Sequence, residues 1–170
     1  MNNFIELIEY NTWANKRLLC QLKELPEEYI LRDVIDGFPS IHQAIYQLLR
    51  SDRIWLDRWK GHWPTEIPGN WNTLTLKGME VVWNDLQTDT LSWLRLVLPR
   101  AIDHEITISD RSGTTTTLKF SQTVNLVLNH ASHYRGQLTN VVSALGLDPV
   151  KTQLLDYYTR IQDPSSAHAG

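Results

Sequence analysis

The chain has 170 residues, of which 42% are hydrophobic, and a formal net charge of −3 at pH 7. This length and apolar content favour one folded domain and exclude a globally disordered chain. A sequence isoelectric point near 6.0 argues against the broad basic face that phosphate backbones require. We therefore expect no nucleic-acid partner.

The single cysteine, Cys20, excludes an intramolecular disulfide framework and suits a reducing cytosol. The amino terminus carries Glu6 and Glu9 and lacks the basic and apolar regions of a secretory signal. No apolar stretch reaches the roughly 18 residues of a membrane span. The sequence thus predicts a cytoplasmic protein without a membrane partner.

Apolar residues recur at steps of three and four in four long segments, which predicts four amphipathic helices. These helices cover about 3–24, 40–60, 75–98 and 121–145. Pro26 is predicted to stop the first helix and Pro99 the third. Ser40 and Gln43 have capping-box spacing at the start of the second helix, and Gly146 is placed to cap the fourth.

The segments between these helices are predicted to be shorter or irregular. Residues 26–39 and 61–73 are predicted as loops, and β-branched residues around Gly113 predict a small β-hairpin before the fourth helix. A short helix is expected at about 151–162, followed by a disordered tail at 163–170. The predicted fold is all-α: one four-helix bundle domain over 1–162, with the hairpin and a short extra C-terminal helix.

The densest polar cluster lies in the fourth predicted helix. His130 and Tyr134 are four residues apart, so they share a face with Cβ atoms about 5–6 Å apart. His133 lies about 60° from His130 on the other side. Such a pair is compatible with a metal or catalytic site, but taken alone it favours a hydrogen-bonded histidine near the core beside a packed tyrosine ring.

Three further residues interrupt apolar helical patterns. Gly136 inside a strong helix costs roughly 1 kcal/mol relative to alanine, which suggests close approach of another helix or of a ligand. Arg135 could hydrogen-bond a neighbouring helix or hold an anion, and packing is the favoured interpretation. Asp52 interrupts the stripe of the second helix; it could pair with a basic residue on a facing helix, and a structural role is the favoured interpretation.

Three segments, in this order and separation, resemble the DinB/YfiT-like family over about 5–160. They are Tyr10-Asn11-Thr12-Trp13-Ala14-Asn15, then Ser40-Ile41-His42 running into Asp52-Arg53-Ile54-Trp55-Leu56 and Arg58, and finally Asn129-His130 with Arg135-Gly136-Gln137. The resemblance implies a four-helix bundle with a short fifth helix, usually a homodimer. It also implies a divalent metal, usually zinc or nickel, held by three histidines. Family members with known activity resemble metal-assisted hydrolases or thiol-dependent transferases and isomerases.

The sequence departs from the family at the metal site. One family ligand comes from the second helix and two come from His-x-x-x-His-Arg-Gly-Gln in the fourth. These positions fall on Gln47, His130 and Tyr134, so one of three remains histidine. His133 is one residue from the expected position, which turns it by roughly 100°.

The three side chains decide what the altered site could hold. Zinc prefers imidazole, thiolate and carboxylate ligands, and a tyrosine must lose a proton to bind well. A site of Gln47, His130 and Tyr134 is therefore poor for zinc but conceivable for iron or manganese. The other possibility is a metal-free, hydrogen-bonded polar cluster in the same pocket.

We predict a DinB-like protein of unassigned activity, and favour a small-molecule-binding bundle that has lost or weakened the family metal. The alternative is a metal-dependent hydrolase or thiol-dependent transferase. There His130 is a ligand, Tyr134 a ligand or general acid, and Gln47 an orienting group. A third hypothesis is metal-independent acid–base catalysis by His130 with Tyr134.

Overall fold

The computed structural model describes residues 3–63, 67, 69–101, 104–109 and 112–162. The helices are α1 (Asn3–Lys23), α2 (Glu27–Leu31), α3 (Ile41–Trp59), α4 (Leu76–Ala101), α5 (Phe120–Ala144) and α6 (Leu154–Gln162), and the strands are β1 (Glu105–Ser109) and β2 (Thr115–Lys119). A short 3-10 turn covers Trp71–Thr73. The predicted all-α bundle with a small hairpin is confirmed. The predicted tail at 163–170 lies outside the described residues.

Helices α1, α3, α4 and α5 form the bundle, and each packs against two others in the ring order α1, α4, α3, α5. An ion pair between Lys23 and Glu80 joins the carboxyl end of α1 to the amino end of α4. A hydrogen bond from Trp59 to Thr123 joins the carboxyl end of α3 to the amino end of α5. The 3-10 turn that precedes α4 contacts α3 near its start. Helices α3 and α4 therefore run one way and α1 and α5 the other.

The core is built from the apolar stripes that the sequence spacing predicts. Each bundle helix contributes side chains that are at least 98% buried, including Leu18 and Leu22 on α1, Ile45 and Leu48 on α3, Met79 and Leu94 on α4, and Val124 and Leu138 on α5. Burying such side chains is the dominant stabilising contribution in a bundle of this size. No helix among the described residues is long and apolar enough to cross a membrane.

The caps of two bundle helices agree with their predicted boundaries. The Ser40 hydroxyl accepts a hydrogen bond from the backbone nitrogen of Gln43 at 3.2 Å, which caps α3. After α5 the chain turns at Gly146, which has φ of +78°. That left-handed conformation is easy for glycine and rarely adopted by other residues.

The structure corrects two parts of the predicted helix pattern: one helix that was not predicted and one helix end that lies further on. Helix α2 lies within the predicted loop 26–39; it starts after Pro26 and carries Glu27 and Glu28 in its first turn. Proline at a helix start and acidic residues in the first turn both favour helix formation. Helix α4 runs past Pro99 to Ala101. A proline so close to a helix end removes one hydrogen bond but leaves few later residues to disrupt.

The hairpin lies at the end of the bundle where α3 ends and α5 begins. Strands β1 and β2 pair antiparallel, with Ile106 opposite Leu118. The backbone nitrogen of Phe120 donates to the carbonyl oxygen of His104 at 2.8 Å, which ties the hairpin to the first residue of α5. The hairpin thus covers one end of the bundle.

Candidate functional site

The structure brings His130 and Tyr134 together on α5. Their ring centroids are 4.8 Å apart and the ring planes are inclined by 57°. Both residues are partly buried. The His133 ring also contacts Tyr134 edge-on, with centroids 5.7 Å apart. Tyr134 therefore contacts two imidazoles.

This pair occupies the flank of α5 that faces α3. At 100° per residue, Thr123, His130 and Tyr134 fall within a sector of about 40°. Thr123 accepts a hydrogen bond from Trp59 Nε1 of α3 at 2.9 Å. The sector that contains His130 and Tyr134 is thus directed to α3, the helix that carries Gln47.

Gln47 lies at the level of this pair along the bundle. It precedes Trp59 by 12 residues, and Arg135 follows Thr123 by 12 residues. Because α3 and α5 are antiparallel, both positions are about 18 Å from the Trp59–Thr123 hydrogen bond. Within the part of the chain that the structure describes, no hydrogen bond or ring contact joins Gln47 to His130 or Tyr134. The role of these three residues stays a prediction.

The environment of His130 favours its neutral form. Burial lowers the pKa of His130, and the neighbouring His133 lowers it further. His133 itself is exposed, and its Nε2 lies 3.0 Å from Nε2 of Gln137. The Gln137 Oε1 atom is buried and has no hydrogen-bond partner among the described residues. An unpaired buried amide oxygen costs roughly 1–3 kcal/mol unless water or a ligand satisfies it.

Arg135 lies on the opposite flank of α5 and ties it to α1. It is 97% buried and donates to Oδ1 of Asn11 at 2.5 Å and to Oδ1 of Asn15 at 2.8 Å. It also donates to the Ser132 hydroxyl at 3.1 Å. Burial lowers the pKa of Arg135, and Tyr10 opposes that effect. The predicted hydrogen bond to a neighbouring helix is confirmed. Asn15, which sequence reasoning missed, was detectable as a second polar residue one turn after Asn11 on an apolar stripe.

Asp52 on α3 is held by an indole instead of a cation. Trp83 Nε1 on α4 donates to Asp52 Oδ2 at 2.7 Å, and Asp52 forms no ion pair among the described residues. Burial raises the pKa of Asp52 to about 6, and the Trp83 hydrogen bond and the charge of Arg135 partly oppose this. Asp52 thus has the structural role that the sequence favours, with an indole N–H of α4 as its partner in place of a basic residue.

Gly136 is exposed, and a Cβ atom built on it would meet nothing within 4 Å. The expected close approach of another helix of this chain is therefore wrong. Gly136 instead lines an open pocket of about 570 Å³ between α5 and the segment before α6.

The donor set does not fit the zinc or nickel that the resemblance implies. Across the described ranges, no three histidine, cysteine, aspartate or glutamate side chains are grouped to hold a metal ion. The three expected positions supply an amide, an imidazole and a phenol. An amide and a protonated phenol are weak ligands for these ions, so His130 remains the one strong donor.

Comparison with known proteins decides the family. The model of the DinB family matches residues 1–163. This chain belongs to the DinB family. It is 24% identical over 154 residues to Protein DinB of Bacillus subtilis (strain 168), covering 86% of this chain and 88% of that protein.

The fold of this DinB-family chain also has a solved counterpart. YfiT from Bacillus subtilis, described as a probable metal-dependent hydrolase with an unusual four-helix bundle topology, superposes with a TM-score of 0.67. The two chains are 14% identical, and the match covers 86% of this chain and 88% of YfiT. At that identity the likeness establishes the bundle topology.

Proposed function

We propose that this DinB-family chain is a small-molecule-binding bundle in which the family's divalent-metal site is degenerate. The observation that carries the proposal is the donor set at the three expected positions, Gln47, His130 and Tyr134, of which one is histidine. Three strong ligands are the usual minimum for a catalytic zinc site.

The same residues suit hydrogen bonding to an organic ligand. The lowered pKa of His130 keeps the imidazole neutral near pH 7, so it offers one donor and one acceptor. Tyr134 offers a hydroxyl, and Gln137 offers a buried, unpaired amide oxygen one turn from His133. Because His130, Tyr134 and Gln137 offer neutral hydrogen-bonding groups, an uncharged polar ligand is the best match.

The alternative is a metal-dependent hydrolase or thiol-dependent transferase with an altered Gln/His/Tyr site. The fold likeness to YfiT favours it, and a neutral imidazole is the form in which His130 would bind a metal. Metal-independent acid–base chemistry by His130 and Tyr134 remains a third possibility, supported by the contact between their rings.

Metal content separates the first two proposals. Untagged protein purified without chelator would be analysed by elemental analysis, beside His130→Ala. Our proposal predicts far less than one equivalent of any transition metal in both proteins. About one equivalent, lost in His130→Ala, would support the metalloenzyme instead.

A thermal-shift screen of uncharged polar compounds would then test ligand binding directly. Compounds that stabilise the native protein should stabilise His130→Ala and Tyr134→Phe less, because each variant lacks a group that the ligand contacts. Equal shifts in all three proteins would place the ligand elsewhere. We also propose that the chain is a cytoplasmic protein without a nucleic-acid or membrane partner, as the sequence predicts, and a homodimer, as the family resemblance implies.

A further inference from the structure

A second pocket lies at the end of the bundle that the hairpin covers. It has a volume of about 510 Å³ and lies between the last turns of α3 and α4 and strand β1. Trp59, Trp93 and Phe120 line it, and Trp63 stands at its edge with 51% of its surface exposed. Drug-sized ligands occupy pockets of roughly 300–1,000 Å³, so this pocket can take one.

The aromatic wall of this pocket is already assembled. The Trp59 and Trp93 rings are within 7° of parallel, with centroids 6.4 Å apart, and Phe120 contacts both. Trp59 is held by its hydrogen bond to Thr123, and Phe120 is 98% buried. Parallel rings that are fixed in place favour a flat ligand, because little side-chain freedom is lost on binding.

Arg58, on α3, brings a positive charge to the lining of this pocket. Its guanidinium lies 4.9 Å from the ring centroid of Trp55 and has no carboxylate partner among the described residues. Nearby Arg53, in contrast, pairs with Asp57 at 2.8 Å. Partial burial and the charge of Arg50 both lower the pKa of Arg58.

We propose that this pocket binds a planar aromatic carboxylate, with its ring against Trp59 and Trp93 and its acid group on Arg58. A guanidinium matches a carboxylate with two parallel hydrogen bonds. The acid is placed at α3 because Glu105 on the hairpin side of the pocket would repel it. Phe120 precedes His130 by ten residues, about 15 Å along α5, so this is a site separate from the candidate site above.

The test compares 2-naphthoate with its uncharged amide, 2-naphthamide, by isothermal titration calorimetry on the full chain. Wild type should bind 2-naphthoate about tenfold more tightly than the amide, the value of a charge-assisted hydrogen bond. Arg58→Gln should remove that preference while amide binding stays unchanged. Arg17→Gln is the matched control, because Arg17 also lies over a tryptophan, Trp13, but on α1 and away from the pocket.

A second variant keeps the test independent of the folding of Arg58→Gln. Trp63→Ala alters an exposed residue at the edge of the pocket and should weaken both probes severalfold. Equal affinity of wild type for the two probes would overturn the proposal. So would unchanged binding in Trp63→Ala, or a loss in Arg17→Gln as large as in Arg58→Gln.

Discussion

The Asp52 carboxyl group makes the stability of the bundle depend on pH. Its pKa is about 6 in the folded protein, against about 3.9 in an unfolded chain. Between about pH 4 and pH 6 the Asp52 carboxyl group is therefore more protonated in the folded protein than in the unfolded chain. The stabilisation that this proton brings is therefore complete below about pH 4 and is lost as the pH rises through 6.

Replacing Asp52 by asparagine should remove this dependence, because asparagine mimics the protonated acid and still accepts the Trp83 hydrogen bond. The difference in unfolding free energy, variant minus wild type, should rise between about pH 4 and pH 7. Urea titrations at both ends of that range measure it. Asp85→Asn, at an exposed position on α4, is the control and should show no such rise.

The guanidinium of Arg135 donates hydrogen bonds to several acceptors at once. In Arg135→Lys a single ammonium replaces the planar guanidinium that donates to Asn11, Asn15 and Ser132. Buried amide oxygens would lose their donors, so we expect a loss of about 2–3 kcal/mol in unfolding free energy. Arg95→Lys, in an exposed pair with Glu9, should cost less than about 1 kcal/mol. Equal effects of the two changes would contradict the assigned network.

At the scale of the helix, Gly136 weakens α5, and the described residues show no steric reason for a glycine there. Gly136→Ala should therefore raise the unfolding free energy by about 0.5–1 kcal/mol, since the new methyl group meets open space. Gly78→Ala on α4 is the matched control. Its Cβ would lie 3.3 Å from Leu74 Cβ, so it should gain less. Denaturant unfolding of both variants measures this, and destabilisation by Gly136→Ala would show that another molecule packs there.

Most helices could be predicted because local signals define them. The periodic stripe of α1 and the Ser40 cap of α3 lie within a few residues of the boundaries that they set. Helix α2 was missed because its five residues are too few for a repeating apolar pattern. The predicted end of α4 is too early because the helix continues through Pro99 to Ala101.

At the scale of the whole molecule, the ring order of the helices follows from contacts between residues far apart in the chain. The contact of Arg135 with Asn11 spans 124 positions, and no local spacing encodes it. The pairing of His130 with Tyr134 was predictable, since both lie on one helix face. The pocket beside Trp59 and Trp93 was not, because its walls come from four separate elements, α3, α4, β1 and α5.

The central claim is that Gln47 and Tyr134 deprive this bundle of its metal. The most direct measurement is a zinc titration, against a chromophoric chelator, of wild type and the double variant Gln47→His with Tyr134→His. We predict that wild type does not compete for zinc, and that the double variant binds about one equivalent because it restores the three histidines that the family resemblance implies. One equivalent bound tightly by wild type and lost in His130→Ala would contradict the claim.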